Sequence, residues 1–154
     1  NIKFFSAWLC HYVADAHVPF HAAQNYDGQL TGQWGIHARF ESELFERFRS
    51  RLRPNPGPPV PVPNARAFVF ATLTESFTFV QPLLDADKAA AAGRDVYDDG
   101  YFTLFFSKAG PILEKRLADS VRDAVSIITA AWKDAGSPAI PLQAPRTPRK
   151  IRRQ

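Results

Sequence analysis

An all-α fold is predicted for this chain by three observations. Apolar residues recur at helical spacing through most of its 154 residues,. No run alternates apolar and polar residues over the length of a strand. Pro, Gly and Asn fall where helices would have to start or stop. Apolar residues make up 45% of the chain and Phe alone numbers 13, which is enough for a core. A chain of this length buries about 68–70% of its unfolded surface, so residues 1–140 are expected to form one domain.

The elements follow in order. Residues 2–16 are apolar nearly all round and are expected to form a buried helix, which Pro19 ends or kinks,. Residues 22–35 carry Asn25, Asp27, Gly28, Gly32 and Gly35 and read as a loop,. A second helix is expected over 36–52, with Ile36, Phe40, Leu44, Phe48 and Leu52 as its core face. Arg39, Glu43, Arg47 and Arg51 fall at positions expected to face water. Six prolines between Pro54 and Pro63 exclude a helix and predict an extended connector,. Asn64 then caps a helix over 65–80, and residues 87–92 form a short Ala-rich helix stopped by Gly93,. A helix over 98–109 precedes Gly110-Pro111, which is expected to open the last long helix. Val121, Val125, Ile128 and Trp132 are its predicted core stripe, and Gly136 and Pro138 its stop,.

The net charge of +4 is local. Five of the 19 basic residues lie in 144–154, and the other 14 face 15 acids. The body is therefore near neutral and presents no charge signature of a nucleic-acid groove. Residues 141–154 are expected to be a basic, disordered tail. No 18-residue apolar run is present, so no membrane-spanning helix is expected. A lone Cys10 permits no internal disulfide,.

The chemistry concentrates in 31 residues, as His11-x3-Asp15-x5-His21-x15-His37-x3-Glu41. On a helix an i, i+4 pair shares one face, about 5–6 Å apart at Cβ. Two faces of that kind with an imidazole between them can assemble a site of N and O donors. Such a set suits hydrolytic zinc better than a structural finger, which would use Cys. Zinc lowers the pKa of its water from about 15.7 toward about 7. Phe4, Phe5, Trp8, Leu9, Tyr12, Val13, Val18 and Phe20 give His11 and His21 an apolar setting, in which a buried His or Asp must be paired or ligated. No nucleophile elbow and no Ser or Cys triad is visible. Asn25 and Asp27 are candidate substrate contacts at the rim, although turn chemistry alone explains both.

The stretches His11–His21 and Gly35–Glu41 resemble the zinc-dependent phospholipase C and single-strand-specific nuclease superfamily. The motif similarity covers about residues 4–46, with a looser likeness in the C-terminal helices. Glu41 and the short His21–His37 gap are similar to the bacterial phospholipase branch, while His17 is similar to the nuclease branch. The resemblance implies an all-α metal hydrolase of phosphodiesters, either phospholipid or single-stranded nucleic acid, that is secreted or periplasmic and binds up to three zinc ions. It implies His21, His37 and Glu41 as one complete ligand set. It further implies His11 and Asp15 as ligands of a second zinc, with Asp15 bridging to a third ion and acting as the catalytic carboxylate. His17 matches no ligand and is expected to be a polar residue near the site mouth. Family members supply further ligands from an N-terminal Trp and from earlier helices. Residues 1–10 contain no His or Asp, so the chain resembles the C-terminal portion of the full domain.

Two other classes remain open. A non-enzymatic helical interaction protein, or an inactive fragment, would use the Pro-rich stretch and basic tail and bind no stoichiometric metal. A di-iron carboxylate bundle would need Glu-x-x-His at i, i+3, which this chain lacks.

Overall fold

Helices supply all the regular structure among residues 2–140, the part that the computed structural model describes. The tail expected over 141–154 lies outside the described residues. Helix α1 (Ile2–Ala16) leads into a 3-10 turn, Pro19–Ala22. After a loop, α2 (Ile36–Ala38), a π-helical turn (Arg39–Leu44) and α3 (Phe45–Phe48) make one continuous rod. Then come α4 (Ala65–Thr78), α5 (Val80–Ala91) and α6 (Asp99–Asp134). Helix α6 has 36 residues, about 54 Å at 1.5 Å per residue, and is the spine of the molecule. It packs against α5, α1 and the π turn, while α4 lies on the 3-10 turn and α1.

Two apolar clusters flank the spine. The larger gathers Phe20, Ile36, Phe40, Leu44, Leu83 and Phe105. The smaller is Val13, Ala124 and Ile127, with Leu9, Phe68 and Val69 packed against it. Of the expected core face, Ile36, Phe40, Leu44 and Leu52 are buried and Phe48 is partly buried, although the rod ends at Phe48. Asn64 caps α4 as expected, its Oδ1 accepting from the Ala67 N–H at 2.9 Å. Gly93 and Gly136 adopt left-handed φ of +71° and +80° just past their helices, the conformation that favours glycine.

Helix α1 departs from expectation. Its sequence predicts burial all round, yet only Val13 and Ala16 are buried. Ile2, Phe4, Phe5, Trp8 and Tyr12 are exposed, because α1 meets α6 and α4 only along its Leu9–Val13 side. The boundary between α4 and α5 falls at Phe79, and α5 begins at Val80, seven residues before the expected Asp87. Pro82 explains the break: its ring excludes the carbonyl four residues back, at Thr78, where α4 ends,. By length and composition alone, Ala65–Ala91 is apolar enough to cross a membrane, contrary to the sequence reading, with 28% of its apolar window buried. That stretch is interrupted at Phe79, and it carries Glu75 and Asp87 in ion pairs with Arg116 and Arg39.

Pro111 does not start a helix either, since α6 runs through it. Pro111 removes one N–H, and Ser107, whose carbonyl that N–H would have met, is exposed and can be hydrated,. Apolar packing by Phe105, Ala109 and Leu113 continues on the opposite side. The predicted stripe of α6 is misplaced. Val121, Val125 and Trp132 are exposed, and the buried face instead carries Arg116, Asp119, Asp123 and Ser126. Buried charge hides that face from any apolar periodicity.

Those charges form one lattice. Arg116 Nη1 lies 3.1 Å from both Asp119 and Glu75, and Arg122 lies 2.9 Å from Asp119 and 2.7 Å from Asp123. Arg116 Nε donates to the His17 carbonyl at 3.1 Å and Nη2 to Ser76 Oγ at 2.9 Å; Ser76 in turn donates to the Ala16 carbonyl at 2.6 Å. Two orphan carbonyls at the C-terminus of α1 are thereby satisfied, with a cation at the negative end of its dipole. His17 is not at a site mouth. It is 2% exposed, with Nδ1 2.7 Å from the Val13 carbonyl and Nε2 3.1 Å from Asp123 Oδ2. Burial lowers its pKa, aided by Arg116, against the Val13 hydrogen bond and the Asp123 charge.

Arg39 is also not solvated. It is buried, and its Nη2 donates to Asp87 at 3.0 Å and its Nη1 to the Trp34 carbonyl at 2.6 Å. Tyr101 donates its hydroxyl to the same carboxylate. Burial and the Asp87 hydrogen bond push the phenol well above its ordinary pKa. The Pro-rich connector is extended as expected, but it is not free. Val60 N–H donates to Ser126 Oγ at 2.9 Å, which straps the segment along α6.

Asp87→Ala would leave Arg39 buried without its counter-charge. A loss of about 3–5 kcal/mol is expected, read as a lowered urea midpoint. Acid should also loosen the α6 lattice. Burial works to raise the pKa of Asp119 and of Glu75, but the Lys115 hydrogen bond and the surrounding Lys and Arg charges outweigh it and hold both low. A folded pKa below the unfolded value gives stability that is present above the unfolded pKa and lost as pH falls through the folded one. Helicity followed by circular dichroism should therefore hold at neutral pH and fall below about pH 4.

Candidate metal centre

Pro19 and Phe20 fix the first part of the site. Pro19 opens the 3-10 turn, where a missing N–H costs nothing, and Phe20 is fully buried beneath it. The next residue, His21, is thereby turned outward. Its Nδ1 donates to the Asp15 carbonyl at 3.0 Å. That bond selects the neutral tautomer whose Nε2 carries no proton and offers its lone pair, as metal-binding histidines require,.

The rod supplies the second part. Gly35 turns the chain into α2 with φ of +81°. The Asp27 carboxylate accepts from the His37 N–H at 3.4 Å. His37 stacks near Phe20, with ring centroids 5.9 Å apart, and meets the His21 ring edge-on at 4.9 Å. Glu41 lies inside the π turn. A strict four-residue repeat from Ile36 to Leu44 exceeds the 3.6-residue period of an α-helix, and a π turn absorbs the excess. It also lets Arg39 and Phe40 both be buried while Glu41 stays at the surface.

The expected trio is brought together. One donor atom each from His21, His37 and Glu41 lie within 4.8 Å of one another. Glu41 Oε2 is 2.8 Å from His37 Nε2 and 3.8 Å from His21 Nε2. The His37 hydrogen bond, then the His21 and His11 charges, hold the Glu41 pKa below its usual range against burial. Side-chain exposures of 30% for His21, 23% for His37 and 41% for Glu41 leave one side open to solvent. Two imidazoles, one carboxylate and an open side make a group that could hold a metal ion and leave a coordination position free,.

Asp15 and His11 sit next to the trio. Asp15 Oδ1 is 3.9 Å from His21 Nδ1, and Asp15 Oδ2 is 3.4 Å from His11 Nε2. The apolar setting expected for His11 is not found. Its side chain is 66% exposed, because the neighbouring aromatics of α1 face solvent as well. The two loop residues do turn chemistry. Asn25 accepts from the Leu30 N–H and donates to Thr31, and Asp27 meets the start of α2.

Sequence reasoning missed the residues that hold the donors in place. Asp27 was legible only as a rim residue, and the Asp15 carbonyl, being backbone, leaves no mark in a residue pattern. No family model matches the chain, and no curated protein or solved structure is similar to it.

Removing the Asp27 acceptor should free the first turn of α2. Asp27→Ala is expected to lower the affinity of the trio for an added metal ion by about tenfold, the worth of one hydrogen bond holding the segment that carries His37 and Glu41,. Competition against a chromophoric chelator measures it, with an unchanged circular dichroism spectrum as control.

Proposed function

We propose that this chain is a zinc-dependent hydrolase of phosphodiesters, of the phospholipase C or single-strand nuclease type, acting with metal-activated water. The observation that carries the reading is the open His21–His37–Glu41 trio with the His11–Asp15 pair beside it. Zinc in that trio supplies Lewis acidity and an acidified water.

The chain's own residues then have distinct tasks. The Asp15 carbonyl orients the His21 ring, and the Asp27 carboxylate holds the backbone N–H of His37. The half-buried Asp15 carboxylate would take a proton from the attacking water. The water oxygen would bond to phosphorus as the opposite ester P–O bond breaks, and the leaving alkoxide would take up the proton that Asp15 received, to give an alcohol and a phosphomonoester. No covalent enzyme intermediate is needed, so the work is positioning and charge stabilisation. Secretion or a periplasmic site accords with this reading. The exposed apolar face of α1 favours one rival, a non-enzymatic interaction protein.

Elemental analysis of the purified chain should find about one zinc per molecule, and Glu41→Ala should abolish it. Zinc-dependent hydrolysis of bis-p-nitrophenyl phosphate should accompany the metal, and Asp15→Asn should lower its rate with zinc still bound. Phosphatidylcholine and single-stranded DNA, tried in parallel, assign the substrate class. A metal-free chain inert toward all three would leave the interaction protein.

A further inference from the structure

A cavity of about 230 Å³ opens beside the metal trio. Its walls are Ala14 and Val18 at the end of α1, Phe40 and Phe45 of the rod, and Leu113 and Leu117 of α6. Glu41 lines it as well, so the residue that completes the metal trio also forms the cavity's edge. Ala14 and Glu41 are exposed and mark the mouth.

Besides Glu41, three polar residues reach the wall, and each is already engaged. His17 is held by the Val13 carbonyl and Asp123. Arg116 is neutralised by Glu75 and Asp119 and donates to Ser76 and the His17 carbonyl. Ser120 donates to the carbonyl of Leu117. Among the described residues no uncommitted cation faces the space, so they give a phosphate no partner inside it. An uncharged apolar group does.

Resting on the hydrolase reading above, we infer that this cavity is the subsite for one apolar substituent of the phosphate ester, an aryl ring or a short alkyl chain. Size sets the class. An apolar cavity of about 150 Å³ takes benzene, so this one holds a ring with a few further atoms but not a pair of long acyl chains. The phosphate would sit at Glu41 and the histidines, with its substituent directed between α1 and α6.

The test has two arms. In the first, calorimetry compares phenylphosphonate with methylphosphonate on zinc-loaded protein. The phenyl compound should bind at least about tenfold tighter. Ala14→Phe, which fills the mouth from an exposed position, should bring that ratio near one while zinc content and methylphosphonate affinity stay unchanged. Ser120→Phe fills the cavity from the α6 side and serves if the first variant misfolds. In the second arm, benzyl alcohol is added to metal-free protein and methyl NMR is recorded. The Leu113 and Leu117 resonances should shift, and the filling variants should suppress the shift. A phenyl-to-methyl ratio near one in the parent, or a preference that survives both variants, overturns the subsite. Loss of zinc uptake or of hydrolysis with the benzyl alcohol shifts intact overturns the hydrolase reading and leaves an apolar binding cavity.

Discussion

The rest of the structure depends on how the C-terminus of α1 is held. A helix end leaves carbonyls without partners, and burying them unpaired is costly. Here Ser76 takes the Ala16 carbonyl and Arg116 takes that of His17. The two donors are linked to each other and belong to different helices. One guanidinium therefore fixes α1, α4 and α6 at a single point. Asp15 precedes that point by two residues and His21 follows it by four. Neither could be placed reproducibly if the helix end were free.

A second buried guanidinium does the same for the other half of the site. Arg39 joins the rod to α5 through Asp87 and to the preceding loop through the Gln33 and Trp34 carbonyls. Tyr101 adds α6 to the group. The arrangement is symmetrical in logic: each donor-bearing segment leans on its own Arg–Asp anchor, and the donors face each other in between. Buried ion pairs contribute uncertainly to net stability because desolvation offsets attraction. Their effect here is on register and orientation.

Much of this was legible in the sequence. The all-α class followed from periodicity, and the pairing of His37 with Glu41 followed from their i, i+4 spacing,, whereas the trio with His21 was implied by the resemblance. The caps at Asn64, Gly93 and Gly136 are local chemistry and held for that reason. Two of the errors share one cause. Periodicity sees apolar residues only, so the buried face of α6 carrying Arg116, Asp119 and Asp123 left no signal, and Val121, Val125 and Trp132 looked like core. Arg39 was misjudged in the same way, because its counter-charge lies 48 residues away in the chain. The outward aromatics of α1 reverse the case, since apolar character gives no guarantee that a neighbour covers it.

The π turn has a consequence for how the chain can vary. It houses one residue more than an α-helix would over the same rise. Trimming a single position between Arg39 and Leu44 would let the backbone relax into ordinary α geometry with the flanking turns nearly in place, whereas a deletion in an α-helical part of the rod would rotate everything downstream by about 100°. A change of length outside the π turn is thus far more damaging than one inside it. The rod's length in residues, and not only its composition, is part of what a working site requires.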